Sequence, residues 1–308
     1  MRTMVVTGAS GFVGGAVCRA AMAEGWDVRA FGRRPEVPPE HVGGAPYTAW
    51  DLTAYRVPRV PRADVVIHCA GSVTDWGPPR EIWAANAGGT RAVAKAFPWA
   101  RFVHVSTASV YDPRRPTVRA REDEAPVRRY VNAYGASKAT AENLVRDRAI
   151  VLRPHAVYGP GDTTLLPRVL AAVRGRRLVA VGDGRQAISL TSIGNLVRAC
   201  LLAAAGPVER GVFNVTDAEP VTLDWALREI LRERGIAAEP HYLPLRPALA
   251  AVAVGETVYR LLGVRRPPRL TAYAVGHLAV ERTLDISAAR RALGYDPAPT
   301  SFAGAAAW

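Results

Sequence analysis

The chain has 308 residues, 49% of them apolar, which is enough for one large domain or two ordinary ones with a real hydrophobic core. It lacks any apolar run of the roughly 18 residues a membrane span needs, and its amino terminus runs directly into a strand-like segment, so a soluble, cytoplasmic protein without a signal peptide is expected. The net charge of +13 raises nucleic acid or an anionic surface as partners, but the arginines fall in scattered pairs such as Arg128-Arg129 without interleaved aromatics, which argues against nucleic-acid binding.

In chain order, β-rich apolar runs at 4–7, 28–31, 65–68, 102–106 and 150–152 alternate with helical patterns at 11–24, 81–97 and 132–147. The first helix stops before Gly25, a suitable C-terminal cap. Such alternation predicts an α/β fold, a doubly wound parallel sheet with ligands outside the carboxyl ends of its strands. Beyond about residue 160 helices at 164–174, 192–205, 222–234 and 246–262 are broken by Pro- and Gly-rich turns, with one return to strand at 212–215. The expected division is a nucleotide-binding Rossmann domain over 1–165, joined by a strand near 211–217, and a smaller mixed substrate lobe over 166–308. Helix 246–263 is apolar and then abruptly basic; it reads as core packing, as a flap over an apolar substrate or as a peripheral membrane contact. Cys18, Cys69 and Cys200 sit in apolar surroundings and the six histidines lack ligand spacing, so neither disulfides nor a metal site is expected.

Thr7-Gly8-Ala9-Ser10-Gly11-Phe12-Val13-Gly14 follows the first strand directly and opens the first helix. Gly8 permits a tight turn, Gly11 lets a pyrophosphate approach the backbone, and Gly14 lets the helix pack on the sheet, so a dinucleotide site is predicted. The second strand ends in Gly32-Arg33-Arg34, where an NAD-binding protein is expected to present a carboxylate to the ribose. Two guanidiniums suit a 2′-phosphate, which favours NADP(H) over NAD(H). Asp51 and Leu52, after the third strand, are candidates to flank the adenine.

Lysine occurs only twice, against 38 arginines, and one of the two, Lys138, stands four residues after Tyr134 in Tyr-Gly-Ala-Ser-Lys. On a helix the two share a face. An ammonium beside a phenol lowers the tyrosine pKa from about 10 toward neutrality, where it can exchange protons.

Together the glycine-rich turn and the Tyr-Lys pair resemble the extended short-chain dehydrogenase/reductase superfamily, the NAD-dependent epimerases and dehydratases. The resemblance continues through His68-Cys69-Ala70-Gly71, Asn86-Ala87-Gly88-Gly89-Thr90, Val105-Ser106-Thr107-Ala108-Ser109-Val110-Tyr111 and Leu152-Arg153-Pro154-His155-Ala156-Val157-Tyr158-Gly159. It implies that Tyr134 is the general acid or base, that Lys138 tunes it and holds the nicotinamide ribose, and that Thr107 polarises the substrate carbonyl, with Ser106 and Ser109 as alternatives. It further implies cofactor contacts from Cys69, Ala70, Gly71, Asn86, Pro154, His155, Ala156 and Val157, substrate contacts from Ser72, Trp76, Ser109 and Tyr158, and a homodimer. Dehydratases carry Asp-Glu after the hydroxyl residue; Ala108-Ser109 stands here instead. Segments 73–77 and 211–222 resemble the 3β-hydroxysteroid dehydrogenase-like branch with its 2-alkyl-3-ketoacid reductases. The implied activity is NADPH-dependent reduction of a hydrophobic β-keto or sterol-like carbonyl compound, or its reverse. The rivals are a nucleotide-sugar 4-epimerase with bound NAD and a non-catalytic NADP-sensing protein.

Overall fold

The computed structural model describes residues 2–54, 57–112, 115–264, 266–268 and 270–308. Its centre is a seven-stranded parallel sheet: β1 (Thr3–Thr7), β2 (Asp27–Gly32), β3 (Tyr47–Ala49), β4 (Val65–His68), β5 (Arg101–Val105), a sixth strand at Ala149–Pro154 and a seventh at Gly211–Val215. Spatially they run β3, β2, β1, β4, β5, sixth, seventh. The order reverses between β1 and β4, which pair in parallel from Met4 with Val65 to Thr7 with His68. A crevice at the carboxyl ends of those two strands is where such sheets bind ligands. The central strands are buried on both faces, and Met4, Val5, Val6, Val65, Val66 and Ile67 expose nothing, which is why they read as continuous apolar runs rather than alternating ones.

Helix α1 (Phe12–Ala23) buries Gly14, Gly15, Ala16, Val17, Cys18 and Ala21, a small-residue face that lets it lie close to the sheet. Beside it packs Ile193–Ala205, started by the Ser192 side chain accepting the Asn195 N–H at 3.2 Å. One apolar cluster joins α1, Ile193–Ala205, Ser287–Leu293 and this face of the sheet, so the second half of the chain helps to cover it. A separate cluster built from Tyr158, Leu178, Leu223–Glu233 and Phe302 forms the C-terminal core.

Several segments differ from expectation. Beyond residue 160 the chain returns to strand not only at Gly211–Val215 but also at Arg177–Val181, which pairs in parallel with Glu239–Leu243. The helix predicted over 81–97 starts at Pro79, passes through a π-helical turn at Ala84–Gly88 and resumes as Gly89–Ala96. The arginine-rich stretch between Thr107 and Tyr134, where no element is predicted, supplies the strand Thr117–Ala120, which pairs with Arg282–Leu284 near the carboxyl end. A short helix at Ala272–Leu278, absent from the sequence reading, follows the long helix Leu245–Leu261.

Candidate active site

The glycine-rich turn lies in the crevice between β1 and β4. Gly8 has φ of +76°, and a Cβ there would meet the Ala70 nitrogen at 2.6 Å, so the turn sits tightly against the Cys69-Ala70-Gly71 backbone that extends β4. A side chain at Gly14 would run into the Gly8 carbonyl, and Gly11 N–H donates to that carbonyl at 2.9 Å. Gly11 therefore caps α1 with the helix amides facing the crevice, a cradle that fits a pyrophosphate. The Tyr47 phenol donates to the Arg34 carbonyl at 2.7 Å, and Ser10 closes on Gly32, where a Cβ would meet the Ser10 hydroxyl at 2.6 Å and the Tyr47 oxygen at 2.7 Å. Phe12 reaches toward Gly161, and Val13 packs on the sheet core. Arg33 and Arg34 are exposed just beyond β2. Asp51 accepts the Thr53 N–H and hydroxyl at 2.9 and 2.7 Å, and these bonds, with Arg33 nearby, lower its carboxyl pKa. Leu52 packs toward Gly89. These residues fit a dinucleotide on observed backbone geometry.

Beyond β5 the chain turns at Thr107, whose hydroxyl accepts the Ser109 N–H at 3.1 Å and lies 3.0 Å from the Ser109 hydroxyl. The helix Ala133–Val145 is capped by Asn132, which accepts the Gly135 N–H at 3.0 Å. A Cβ on Gly135 would lie 2.8 Å from the Ser109 carbonyl, so the glycine inside Tyr-Gly-Ala-Ser-Lys lets the helix close on the Thr107 turn. Tyr134 is thereby brought beside the Thr107 turn, its ring edge-on to Tyr273, whose hydroxyl lies 2.5 Å from that of Ser109. The expected lowering of the tyrosine pKa is not what this geometry produces. Burial raises the Tyr134 pKa, with the nearby Thr107 hydroxyl working against the rise. Lys138 shares the helix face, but its ammonium donates to the Val105 carbonyl at 2.7 Å, and burial lowers its own pKa to about 8.

Asn86, in the π-helical turn, is a clasp. It accepts the Ser72 N–H at 2.7 Å and donates to the Ser72 carbonyl at 3.2 Å and the Ser137 hydroxyl at 2.9 Å, tying the loop after β4 to the Tyr134 helix. The extra residue of a π-turn, often found at functional sites, accompanies this aim. Pro154 ends the sixth strand. His155 is buried, its Nδ1 2.6 Å from the Ser189 carbonyl, and burial lowers its pKa to about 4. Ala156 takes φ of +45°, and Val157 begins a two-residue strand against Thr191-Ser192.

Tyr158 is not brought to the site. Its hydroxyl donates to Asp217 at 2.7 Å, and its ring packs 4.8 Å from Phe302 in the C-terminal core. Trp76 is a fastening point, with its indole N–H on the Val264 carbonyl at 3.0 Å and its ring edge-on to Tyr259 at 6.3 Å. Four residues of this region were given no role from the sequence. Asp75 is buried, ion-paired with Arg168 at 2.7 Å and accepting the Thr271 hydroxyl at 2.5 Å. Tyr273, two residues on, stands against Ser109 and Tyr134. Arg153 and Glu142 form a buried pair at 2.7 Å beneath the Thr107 turn, and the Ser106 hydroxyl donates to the same carboxylate at 2.5 Å. The site is a line of hydroxyls at the strand ends, roofed by the carboxyl-terminal segment.

Residues 4–216 match the NAD dependent epimerase/dehydratase family. The chain is 34% identical to a 4-hydroxy-2-methyl-3-oxo-4-farnesyl-3,4-dihydroquinoline-1-oxide ketoreductase of Stigmatella aurantiaca, over 96% of this chain and 92% of that one. It is 31% identical to a 2-alkyl-3-oxoalkanoate reductase of Shewanella oneidensis, over 94% and 81% respectively. Among solved structures, a UDP-glucuronic acid 4-epimerase from Bacillus cereus in complex with NAD superposes with a TM-score of 0.72 at 20% identity, covering 99% of this chain and 96% of that one. This last likeness is one of fold alone.

Proposed function

Because the chain belongs to the NAD dependent epimerase/dehydratase family, we propose that it is an NADPH-dependent ketoreductase acting on a hydrophobic β-keto or sterol-like carbonyl compound. The same chemistry reversed makes it an alcohol dehydrogenase. In this reading residues 1–165, with the strand near 211–217, hold the cofactor, and 166–308 shape the substrate site. The observation that carries the reading is the packing of the Tyr134 helix on the Thr107 turn at the end of β5, so close that a Cβ on Gly135 would lie 2.8 Å from the Ser109 carbonyl, beside the nucleotide cradle. Two relatives named as reductases of oxo compounds bearing alkyl or farnesyl groups support the substrate class.

NADPH, when bound, supplies a hydride to the carbonyl carbon. Thr107 hydrogen-bonds the carbonyl oxygen on which negative charge develops, and Tyr134 gives that oxygen its phenolic proton. A tyrosine whose pKa burial raises holds its proton at neutral pH, which suits an acid in the reducing direction. Lys138 would leave the Val105 carbonyl to hold the nicotinamide ribose and to offset that rise. Arg33 and Arg34, exposed at the end of β2, would clamp the 2′-phosphate.

The test is NADPH oxidation with 2-alkyl-3-ketoacids and ketosteroids, with Tyr134→Phe as the variant. Turnover should fall by about 10³, with the NADPH Kd within a few-fold. Undiminished turnover would remove Tyr134 from the chemistry. Tightly copurified NAD with no net reduction would transfer the chain to the epimerases.

A further inference from the structure

The helix Leu245–Leu261 buries only Val252 and Glu256. Val252 packs with Val181, Val275 and Ala279. Glu256 accepts the Ala272 N–H at 2.7 Å and an Arg260 N–H at 2.9 Å, so this side fastens the roof. On the other side Ala250, Val254, Thr257, Val258 and Leu261 recur at spacings of three and four, forming a stripe about 16 Å long. Leu262 and Val264 continue it. Val254 is 65% exposed, Leu261 81% and Leu262 72%. The Thr257 hydroxyl on this stripe has its hydrogen bond satisfied within the helix, donating to the Ala253 carbonyl at 2.8 Å. A helix on a water-facing surface carries charge on its outer face; this one carries apolar side chains, the mark of an interaction surface.

Charge selects the occupant. Between 245 and 270 the sequence has five arginines, at 246, 260, 265, 266 and 269, and one acidic residue, the buried Glu256, which is paired with Arg260; the segment keeps a surplus of positive charge. A second copy of this face would set arginines against arginines. Anionic headgroups over acyl chains meet both the guanidiniums and the leucines. Among the described residues no helix is long and apolar enough to cross a membrane, so the contact lies on the surface. We propose that the outer face of Leu245–Leu261, with Leu262 and Val264, docks on an anionic lipid bilayer. The docked face is continuous with the roof: Val264 holds the Trp76 indole, and Arg260 lies 5.3 Å over the Trp76 ring. On the ketoreductase reading, this brings a bilayer-dissolved substrate to the mouth of the site.

The test is flotation of the purified full chain with vesicles of phosphatidylcholine alone and of phosphatidylcholine mixed with phosphatidylglycerol. Binding to the mixed vesicles only is expected, with partitioning about tenfold weaker for the Leu261→Ser/Leu262→Ser double variant, whose net charge is unchanged. Val254→Ser gives a second, independent loss, and circular dichroism checks that each variant is folded. No binding by the wild type, or equal binding by the folded variants, would overturn the proposal, the latter leaving only the attraction of a basic protein for an acidic surface. A dimer in light scattering that these substitutions dissociate would give the face to a second copy and overturn it too. Reduction of a short water-soluble ketone is read separately. Vesicle binding without that activity would sink the ketoreductase reading and leave the docking surface standing.

Discussion

The Tyr273 hydroxyl lies 2.5 Å from the Ser109 hydroxyl, and its ring meets the Tyr134 ring edge-on with centroids 6.1 Å apart. The helix Ala272–Leu278 thus places a bulky aromatic directly beside the proposed acid. The position is fixed from both sides, by Thr271 bonded to Asp75 and by Glu256 accepting the Ala272 N–H. A side chain so held defines how large a group can stand next to the reacting carbonyl. Tyr273→Ala should raise the ratio of kcat/KM for bulky over small ketones by about tenfold, the scale of one or two methylenes in a pocket. A chain-length series of 2-alkyl-3-ketoacids measures it. An unchanged ratio would mean that the ring leaves the site when substrate enters.

Arg33 stands at the carboxyl end of β2, where a ribose would lie once a dinucleotide follows the Gly8 turn. Arg33→Asp should weaken NADPH binding relative to NADH by about 2 kcal/mol, the order of a charge-assisted hydrogen bond. Calorimetric titration with both cofactors reads the difference. Equal loss for the two would show that the guanidinium does not discriminate at the 2′ position.

The parts of this site that the sequence made legible are those carried by short-range geometry. The spacing of Gly8, Gly11 and Gly14 is local to one strand-to-helix turn, and Tyr134 and Lys138 are one helical turn apart. The direction of the Lys138 ammonium was not legible, because spacing assigns a face but not which of several acceptors lies nearest; here it is the Val105 carbonyl. Tyr273 and Thr271 were hidden for another reason. They meet Ser109 and Asp75 across 164 and 196 residues, and such contacts leave no periodicity. Tyr158 follows the family pattern, yet its ring is claimed by the Phe302 core and its hydroxyl by Asp217. Asn86 likewise reads as a helix residue until a π-turn points it at Ser72 and Ser137.

Beneath the Thr107 turn, Arg153 and Glu142 expose 0% and 3% of their side chains, so neither charge has water to fall back on. Glu142→Gln leaves a buried guanidinium without its counter-ion and should lower the unfolding free energy by about 3–5 kcal/mol. Glu142→Met combined with Arg153→Met removes both charges and should recover most of that loss. Urea unfolding of the three proteins decides it. A single-variant cost below about 1 kcal/mol, the net worth of one ordinary hydrogen bond, would mean that the Glu122 and Ala125 carbonyls, which Arg153 also reaches at 2.9 and 3.3 Å, satisfy it unaided.

Acid should weaken the fold through His155. Burial holds the imidazole pKa near 4, against 6.5 for the free group. As pH falls below 6.5 the unfolded chain takes a proton that the folded one refuses. The stability His155 contributes is therefore complete above that value and is lost as pH falls toward 4. Between pH 7 and pH 5 the loss from this residue should be about 2 kcal/mol. His68, lowered to about 3 by burial, adds a loss of the same sign. His155→Gln keeps a donor for the Ser189 carbonyl but does not titrate. Measured by urea unfolding at the two pH values, the variant should lose about 2 kcal/mol less than the wild type. Equal losses would mean that the imidazole becomes protonated within the fold, with the Ser189 carbonyl, 2.6 Å from Nδ1, accepting from the charged ring.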